Sequence, residues 1–253
     1  MKYVSLDLET MGVNDRGPDR ILMISMVAED TEYPEIPVEQ LPHFTAIIKQ
    51  PKIIGETTAC AMNAWIFVAI EFSETKMTEE KFFVKFTDLG IPSETVAKGI
   101  QAAKSYKVLT PVNAEYAAEV WLNDRFGTKD KITVAGKNVA GFDMTFLPEG
   151  LKSRFRHSVI DPGSVFWNPS TDRMLPHSAE VMKRAGVKYE GAHDALADAR
   201  MMISALRNHP YYLLERAKSI LEKCKADGVL YPGSRTDIDL FVSIIPEYLR
   251  SKK

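Results

Sequence analysis

The beginning of the chain alternates between short apolar runs and polar connections, which is the pattern of successive β-strands. Residues 3–8 have apolar or β-branched side chains at the positions expected of a buried first strand. After the polar turn at 14–20, residues 21–27 predict a second strand, antiparallel to the first, and residues 44–48 a third. We therefore expect the protein to begin with three strands in succession.

The middle of the chain is predicted to be helical at both ends. Residues 55–70 space their apolar side chains as a helix does, and residues 112–126 do the same before Gly127 ends that helix. The polar stretch between them, about 71–112, is interpreted as an insertion that lies over one face of the protein. Within it, the aromatic residues at 82–86 indicate a short strand.

The second half of the chain alternates strands with helices. Three strands followed by such an alternation are typical of a mixed sheet covered by helices. We predict an α/β protein with a five-stranded mixed sheet, made of one domain at 1–208 and a helical C-terminal extension at 209–253. The further predicted strands are 131–135 and 158–161, and the further predicted helices are 142–147, 178–185, 192–207, 211–226 and 237–249.

Composition narrows the class of protein only slightly. The chain has 253 residues with a formal net charge of −2, which neither suggests nor excludes a nucleic-acid partner. Local basic patches or bound metal ions could still attract a polyanion. Cys60 and Cys224 are far apart, so a disulfide framework is not expected. Because a strand follows directly on the first residue and no apolar run has transmembrane length, we expect a cytoplasmic protein with no membrane partner.

Four acidic residues occupy positions where a buried carboxylate is unfavourable unless something neutralises it. Asp7 and Glu9 lie two positions apart on the first predicted strand, so both side chains point to the same face. Asp143 stands at a loop-to-helix junction, and Asp198 lies in a predicted helix, five residues after His193. Four carboxylates are the ligand set that Mg²⁺ or Mn²⁺ prefers, so we predict a site for two such ions.

Each of these residues also has an ordinary explanation when it is taken alone. The acidic pair could be a solvated strand end, Asp143 a helix cap, and Asp198 an exposed helical charge. His193 could be a residue at the N-terminal end of a helix. It could also be a general base, because the unperturbed pKa of an imidazole lies near neutral pH. Asp194, its neighbour, is expected to face solvent in the first turn of the helix. Because the four acids and the histidine occur together in one chain and in these structural contexts, we favour the interpretation that they form one functional site.

Three segments that contain these residues resemble the motifs of one enzyme family. In order and separation they are similar to the motifs of the DEDDh exonucleases, the DnaQ-like branch of the RNase H-like superfamily. The resemblance covers about residues 3–207. The segments are Asp7-Leu8-Glu9-Thr10-Met11-Gly12, Asn138-Val139-Ala140-Gly141-Phe142-Asp143, and His193-Asp194-Ala195-Leu196-Ala197-Asp198-Ala199.

The resemblance implies an RNase H-like fold and an activity. Family members hydrolyse phosphodiester bonds from the 3′ end of single-stranded DNA or RNA and release 5′-mononucleotides. By the same resemblance, His193 is the general base, and the metal ligands are Asp7, Glu9, Asp143 and Asp198. The residues that match positions contacting the terminal nucleotide are Thr10, Met11, Asn138 and Phe142.

Three positions depart from the family pattern. Met11 stands where many members have a small or hydroxyl residue, and Lys137 replaces a histidine often found before the asparagine. Gly141 adds one residue to the most common spacing of the second motif. None of these changes removes a charged ligand, so they bear on substrate preference more than on chemistry.

Other activities remain open at this point. An exoribonuclease restricted to short oligoribonucleotides or RNA 3′ ends would share all of these residues. An endonuclease of the RNase H-like class would not need the third motif, so His193 argues against it. A binding module that has lost catalysis would not need to retain mutually repelling carboxylates.

Two further groups are candidates for substrate contacts. Phe166 and Trp167, followed by Arg173, could form a flap over the site, or they could be a loop packed on the core. A basic cluster could guide the incoming strand or could be a solvated face. The basic cluster consists of Lys152, Arg154, Arg156 and His157.

The C-terminal helices predicted at 211–226 and 237–249 could serve a homodimer interface, although the oligomeric state is unknown.

Overall fold

The computed structural model describes residues 1–14, 16–33, 35–189, 193–210 and 212–213. Its strands are β1 (Lys2–Thr10), β2 (Ile21–Asp30), β3 (His43–Ile48), β4 (Lys107–Leu109) and β5 (Thr133–Ala135). They form one sheet in the order β4-β3-β2-β1-β5. The pairs β1–β2 and β2–β3 are antiparallel, whereas β1–β5 and β3–β4 are parallel. The predicted α/β class with a mixed five-stranded sheet is confirmed.

Helices cover the sheet. In the described residues the helices are α1 (Thr57–Met62), α2 (Ala64–Glu74), α3 (Glu79–Asp88), α4 (Ser93–Ser105), α5 (Pro111–Phe126), α6 (Asp143–Phe146), α7 (Glu149–Ser153), α8 (Pro162–Val165), α9 (Ser178–Ala185) and α10 (Ala195–Arg207). The helices predicted from sequence at 112–126 and 178–185 are confirmed as α5 and α9.

Strand β1 lies inside the sheet and is covered on both faces. Leu6 packs with Ala118 and Leu122 of α5 in one core cluster. Tyr3 packs with Ile203 of α10 in another. Because successive side chains of a strand point to opposite faces, the odd-numbered residues of β1 all face α10. This alternation decides which side of the sheet carries the acidic pair of β1.

The predicted insertion folds as helices, and the strand predicted at 82–86 is wrong. Those residues belong to α3. In this helix Phe82 and Phe86 lie one turn apart, and their rings stack with centroids 4.2 Å apart. Phe82 is 1% exposed and packs against Val96 and Ile100 of α4. The fourth strand of the sheet is instead β4, at the end of the insertion, which the sequence pattern did not reveal.

Two other predicted elements have different boundaries. The helix predicted at 55–70 is two helices, α1 and α2, which meet at Asn63. Residues 158–161 do not form a strand, because only Ile160 makes an isolated parallel bridge to the end of β5. The sheet therefore ends at β5 on this side in the described residues.

The C-terminal extension is almost wholly outside the described residues. The helices predicted at 211–226 and 237–249 fall there, apart from residues 212 and 213, which are helical. Among the described helices, none combines the length and the apolar character needed to cross a membrane.

Candidate functional site

Three of the predicted metal ligands lie together on the α10 face of the sheet. Asp7 and Glu9 project from β1, and Asp198 projects toward them from the first turn of α10. One carboxylate oxygen of each residue lies within 4.8 Å of an oxygen of both others. Glu9 is only 7% exposed, and the other two side chains are partly buried. A single cation could therefore contact all three.

Burial and mutual repulsion favour the protonated forms of these acids. Burial raises the pKa of Asp7 well above its usual value, and Asp143, Asp198 and Glu9 raise it further. Burial together with Asp198 raises the pKa of Glu9 to about 7. The pKa of Asp198 is raised by burial as well, although His193 offsets part of the effect. A divalent cation between the carboxylates would reverse these shifts, since an opposite charge favours the ionised form.

Asp143, the fourth predicted ligand, lies beside Asp7 but outside the group of three. It is the first residue of α6 and is 4% exposed. Its Oδ1 accepts a hydrogen bond of 3.0 Å from the main-chain N–H of Leu8, which ties α6 to β1. Burial raises the pKa of Asp143 to about 7, against the opposing effect of main-chain hydrogen bonds. Its role as a metal ligand stays a prediction.

Asp194 caps α10 and does not simply face solvent, so the expectation for this residue is wrong. Its Oδ1 accepts hydrogen bonds from the main-chain N–H groups of Leu196 at 3.0 Å and Ala197 at 3.2 Å. This cap explains why the helix predicted from residue 192 begins only after Asp194. The carboxylate is partly buried, and its charge raises the pKa of Asp7 and Glu9. Asp194 is thus a fifth acid at the site.

His193 precedes this cap in the turn that leads into α10. Its main chain adopts a left-handed φ of 40°, and its side chain is exposed. The residue lies close enough to Asp198 for its charge to lower the pKa of that carboxyl. The imidazole therefore lies at the open side of the acidic group, which is compatible with the predicted role as a base.

The four residues predicted to contact a nucleotide have different surroundings. Thr10 is 7% exposed, and its hydroxyl donates a hydrogen bond of 2.9 Å to a main-chain oxygen two residues on. Met11 is fully buried in the core, so any contact with a nucleotide would fall to its main chain. Asn138 is exposed on a turn with a φ of 56°. Phe142 is half-buried, and the guanidinium of Arg16 lies 5.5 Å from its ring centroid.

The segment between β3 and α5 brings three further side chains to the site. Asn63, between α1 and α2, is 4% exposed and donates a hydrogen bond of 3.3 Å to the main-chain oxygen of Thr10. It also lowers the pKa of Glu9. Lys98 of α4 lowers the pKa of Glu9 by its charge. Burial and the charge of Asp194 raise the pKa of Tyr106, which follows α4, to about 12. None of the three could be recognised from the sequence, because none has a fixed spacing from the motifs. The stretch that contains Lys98 and Tyr106 was predicted only to be an insertion over one face of the protein.

The proposed flap is anchored to the core. Phe166 is 9% exposed and packs with Met182 of α9 and Met201 of α10, as the packed-loop alternative predicts. The segment that follows is tied to α9, because Arg184 donates a hydrogen bond of 2.7 Å to Oδ1 of Asp172. The packed-loop interpretation is therefore the one that the structure favours.

The basic cluster at 152–157 lies at the other end of β1 from the acidic group. Arg156 Nε donates a hydrogen bond of 2.9 Å to the main-chain oxygen of Lys131, two residues before β5. Strand β5 pairs in parallel with the beginning of β1, whereas the acidic residues stand near the end of β1. This position suits a solvated face better than a guide for the strand end.

The solved structures to which this chain has a weak likeness include those of E. coli Exonuclease I. No protein-family model matches the chain, and no curated protein matches it. The zinc-ion-bound E. coli ExoI–ssDNA complex has 16% identity and a TM-score of 0.44, over 91% of this chain and 45% of that one. E. coli Exonuclease I with a dA16 oligonucleotide has 15% identity and a TM-score of 0.46, over 86% and 43%. This chain spans less than half the length of these structures, and similarity at this level assigns neither family nor activity.

Proposed function

We propose that the chain is a metal-dependent 3′→5′ exonuclease that acts on single-stranded DNA or RNA and releases 5′-mononucleotides. The observation that carries the proposal is the group of Asp7, Glu9 and Asp198, whose oxygens lie within 4.8 Å of one another. Folding holds these mutually repelling acids together, which is unfavourable unless a cation binds between them. The motif resemblance, which includes Asp143 and His193, supplies the polarity of the reaction.

The donor set fits Mg²⁺ or Mn²⁺. All three clustered donors are carboxylate oxygens, the ligands that hard divalent cations prefer. Asp143, beside Asp7, offers a fourth carboxylate, so the four residues together could hold two ions. Bound ions of this kind polarise the scissile phosphate and lower the pKa of a bound water.

Other side chains would carry out proton transfer and bind the nucleic-acid strand. In this proposal, His193 accepts a proton from the attacking water, and its exposure next to Asp198 supports that role. The ring of Phe142 offers a surface on which the terminal base could stack. Arg16, which lies over that ring, offers a cation for a phosphate of the same strand. Because β1, which holds Asp7, is an inner strand of the sheet between β2 and β5, the site is largely organised before substrate arrives.

A 5′-labelled single strand, incubated with Mg²⁺, with Mn²⁺ or with EDTA, tests the proposal. An exonuclease gives a ladder of strands shortened one nucleotide at a time from the 3′ end, only with a metal ion. A circular strand of the same sequence should stay intact. Cleavage of the circle would indicate an endonuclease, and retention of the strand without any product would indicate a binding module. Matched DNA and RNA of several lengths then separate a general exonuclease from an oligoribonuclease.

A further inference from the structure

Lys98, on helix α4 of the insertion, lies between an aromatic ring and the turn that precedes α10. Its Nζ is 4.2 Å from the centroid of the Trp65 ring on α2. The same ammonium donates a hydrogen bond of 3.4 Å to the main-chain oxygen of His193, 95 residues along the chain. The side chain therefore links the insertion to the residue proposed as the general base.

The close packing of α4 on α2 gives this lysine a fixed origin. Gly99 faces α2, and a Cβ added there would lie 2.5 Å from Cγ1 of Val68 and 2.7 Å from the main-chain oxygen of Trp65. Only a residue without a side chain allows the two helices to approach so closely. Trp65 itself is 4% exposed, so the ring under the ammonium is held by the core. The insertion thus presents Lys98 from a rigid support.

The turn that Lys98 contacts needs such support. His193 has a φ of 40°, a conformation that is unfavourable for residues other than glycine and persists only where neighbours hold it. On its C-terminal side, the Asp194 carboxylate caps Leu196 and Ala197. At the turn itself, the ammonium of Lys98 binds the carbonyl oxygen of His193. Removal of that contact frees the carbonyl and lets the turn relax.

We infer that Lys98 is a positioning residue, which holds the main chain of His193 so that the imidazole stays beside Asp198. The inference rests on the proposed function, in which that imidazole takes the proton from water. A second observation places the ammonium at the site: its charge lowers the pKa of both Glu9 and Asp198.

Lys98→Met tests the role, because methionine keeps an unbranched side chain over Trp65 and removes the charge. We expect kcat to fall by about tenfold through misplacement of the base, with KM for the strand unchanged. Lys98→Arg should restore most of kcat. Lys85→Met is the matched control, since Lys85 also lies over an aromatic ring, 5.6 Å from the centroid of Phe86, but makes no contact with His193 in the described structure. An equal loss in Lys85→Met, or no loss in Lys98→Met, would overturn the inference.

A double-mutant cycle shows whether Lys98 acts through His193. In a His193→Ala background the imidazole is gone, so Lys98→Met should lower kcat no further. The same tenfold loss in both backgrounds would show that the lysine works by another route, and the positioning role would be rejected.

Hydrogen exchange separates failure of this inference from failure of the proposed function, because it needs no activity. Lys98→Met should speed exchange of the main-chain amides at residues 194–197 by about tenfold, whereas Lys85→Met should not. Unchanged exchange in Lys98→Met would overturn the positioning role even in an active exonuclease. Faster exchange in a protein that cleaves no strand would support the positioning of the turn and reject the exonuclease.

Discussion

Helix α10 contributes to two buried acidic sites, one near each of its ends. Near its beginning, Asp198 joins Asp7 and Glu9. At its end, Arg207 forms two hydrogen bonds of 2.9 Å with the carboxylate of Glu29 on β2. Glu29 is 2% exposed and Glu9 is 7% exposed, so both are acids that have lost most of their contact with water.

The two sites differ in what balances the buried charge. Glu29 receives a planar guanidinium from the same chain, the geometry in which such a pair is strongest. In the acidic group, carboxylates face one another and the pKa of Glu9 rises to about 7, although Lys98 offsets part of the effect. The same fold pairs one buried acid with arginine, yet it gathers several others that would need a positive charge from solution in order to ionise. The contrast therefore supports the proposed metal ion.

The largest effect is expected from Asp198→Asn, which removes one charge from the acidic group. Hydrolysis should fall by at least about a thousandfold, because a bound cation would lose a ligand and several kcal/mol of transition-state stabilisation. The free energy of unfolding in EDTA should stay the same or rise, since repulsion is relieved. Single-turnover rates and denaturant unfolding measure the two quantities. Glu94→Gln, an exposed acid on α4, is the control. A near-parental rate would remove Asp198 from the metal site.

Arg207→Met should have the opposite profile. Loss of the guanidinium leaves Glu29 buried without its partner, so the free energy of unfolding should fall by about 3–5 kcal/mol. The rate of hydrolysis by the folded fraction should change little, because this pair lies at the other end of α10. Urea unfolding measures the loss, and adding Glu29→Gln should recover part of it. A stability close to that of the parent would contradict the contrast between the two sites.

The smallest effect concerns pH. The pKa of Glu9 rises from 4.5 to about 7 on folding, so the folded protein keeps a proton that the unfolded chain has lost. Its contribution to stability is full below pH 4.5 and disappears as the pH rises through about 7. In EDTA the protein should therefore be less stable at high pH, and Glu9→Gln should remove roughly 3 kcal/mol of that loss. Asp7, Asp143 and Asp198, whose pKa values are also raised in the folded protein, should account for the rest.

Denaturant unfolding of the parent and of Glu9→Gln, each below pH 4.5 and well above pH 7, provides the measurement. The same series with Mg²⁺ should show a smaller loss at high pH, because the cation favours the ionised acids. An identical pH dependence in both proteins would show that Glu9 does not titrate in this range.

The regular elements of the fold could be predicted where apolar runs or helix-ending residues mark them. Strands β1 to β3 were found from their short apolar runs, and helix α9 from Pro176 before it and Gly186 after it. The aromatic run in α3 misled the prediction, since Phe82, Phe83 and Phe86 are compatible with a short strand as well as with a helical face. Only the packing of Phe82 against α4 decides for the helix.

The amino-acid sequence by itself determined the local geometry of the candidate site. Asp7 and Glu9, two positions apart on a strand, share a face whatever surrounds them. The helix predicted at 192–207 already put His193 and Asp198 near its N-terminal end. Only the tertiary structure decided that Lys98 reaches His193 and that Arg207 reaches Glu29, across 95 and 178 residues. Such contacts depend on how closely helices pack on one another and on the sheet, and no local period encodes that distance.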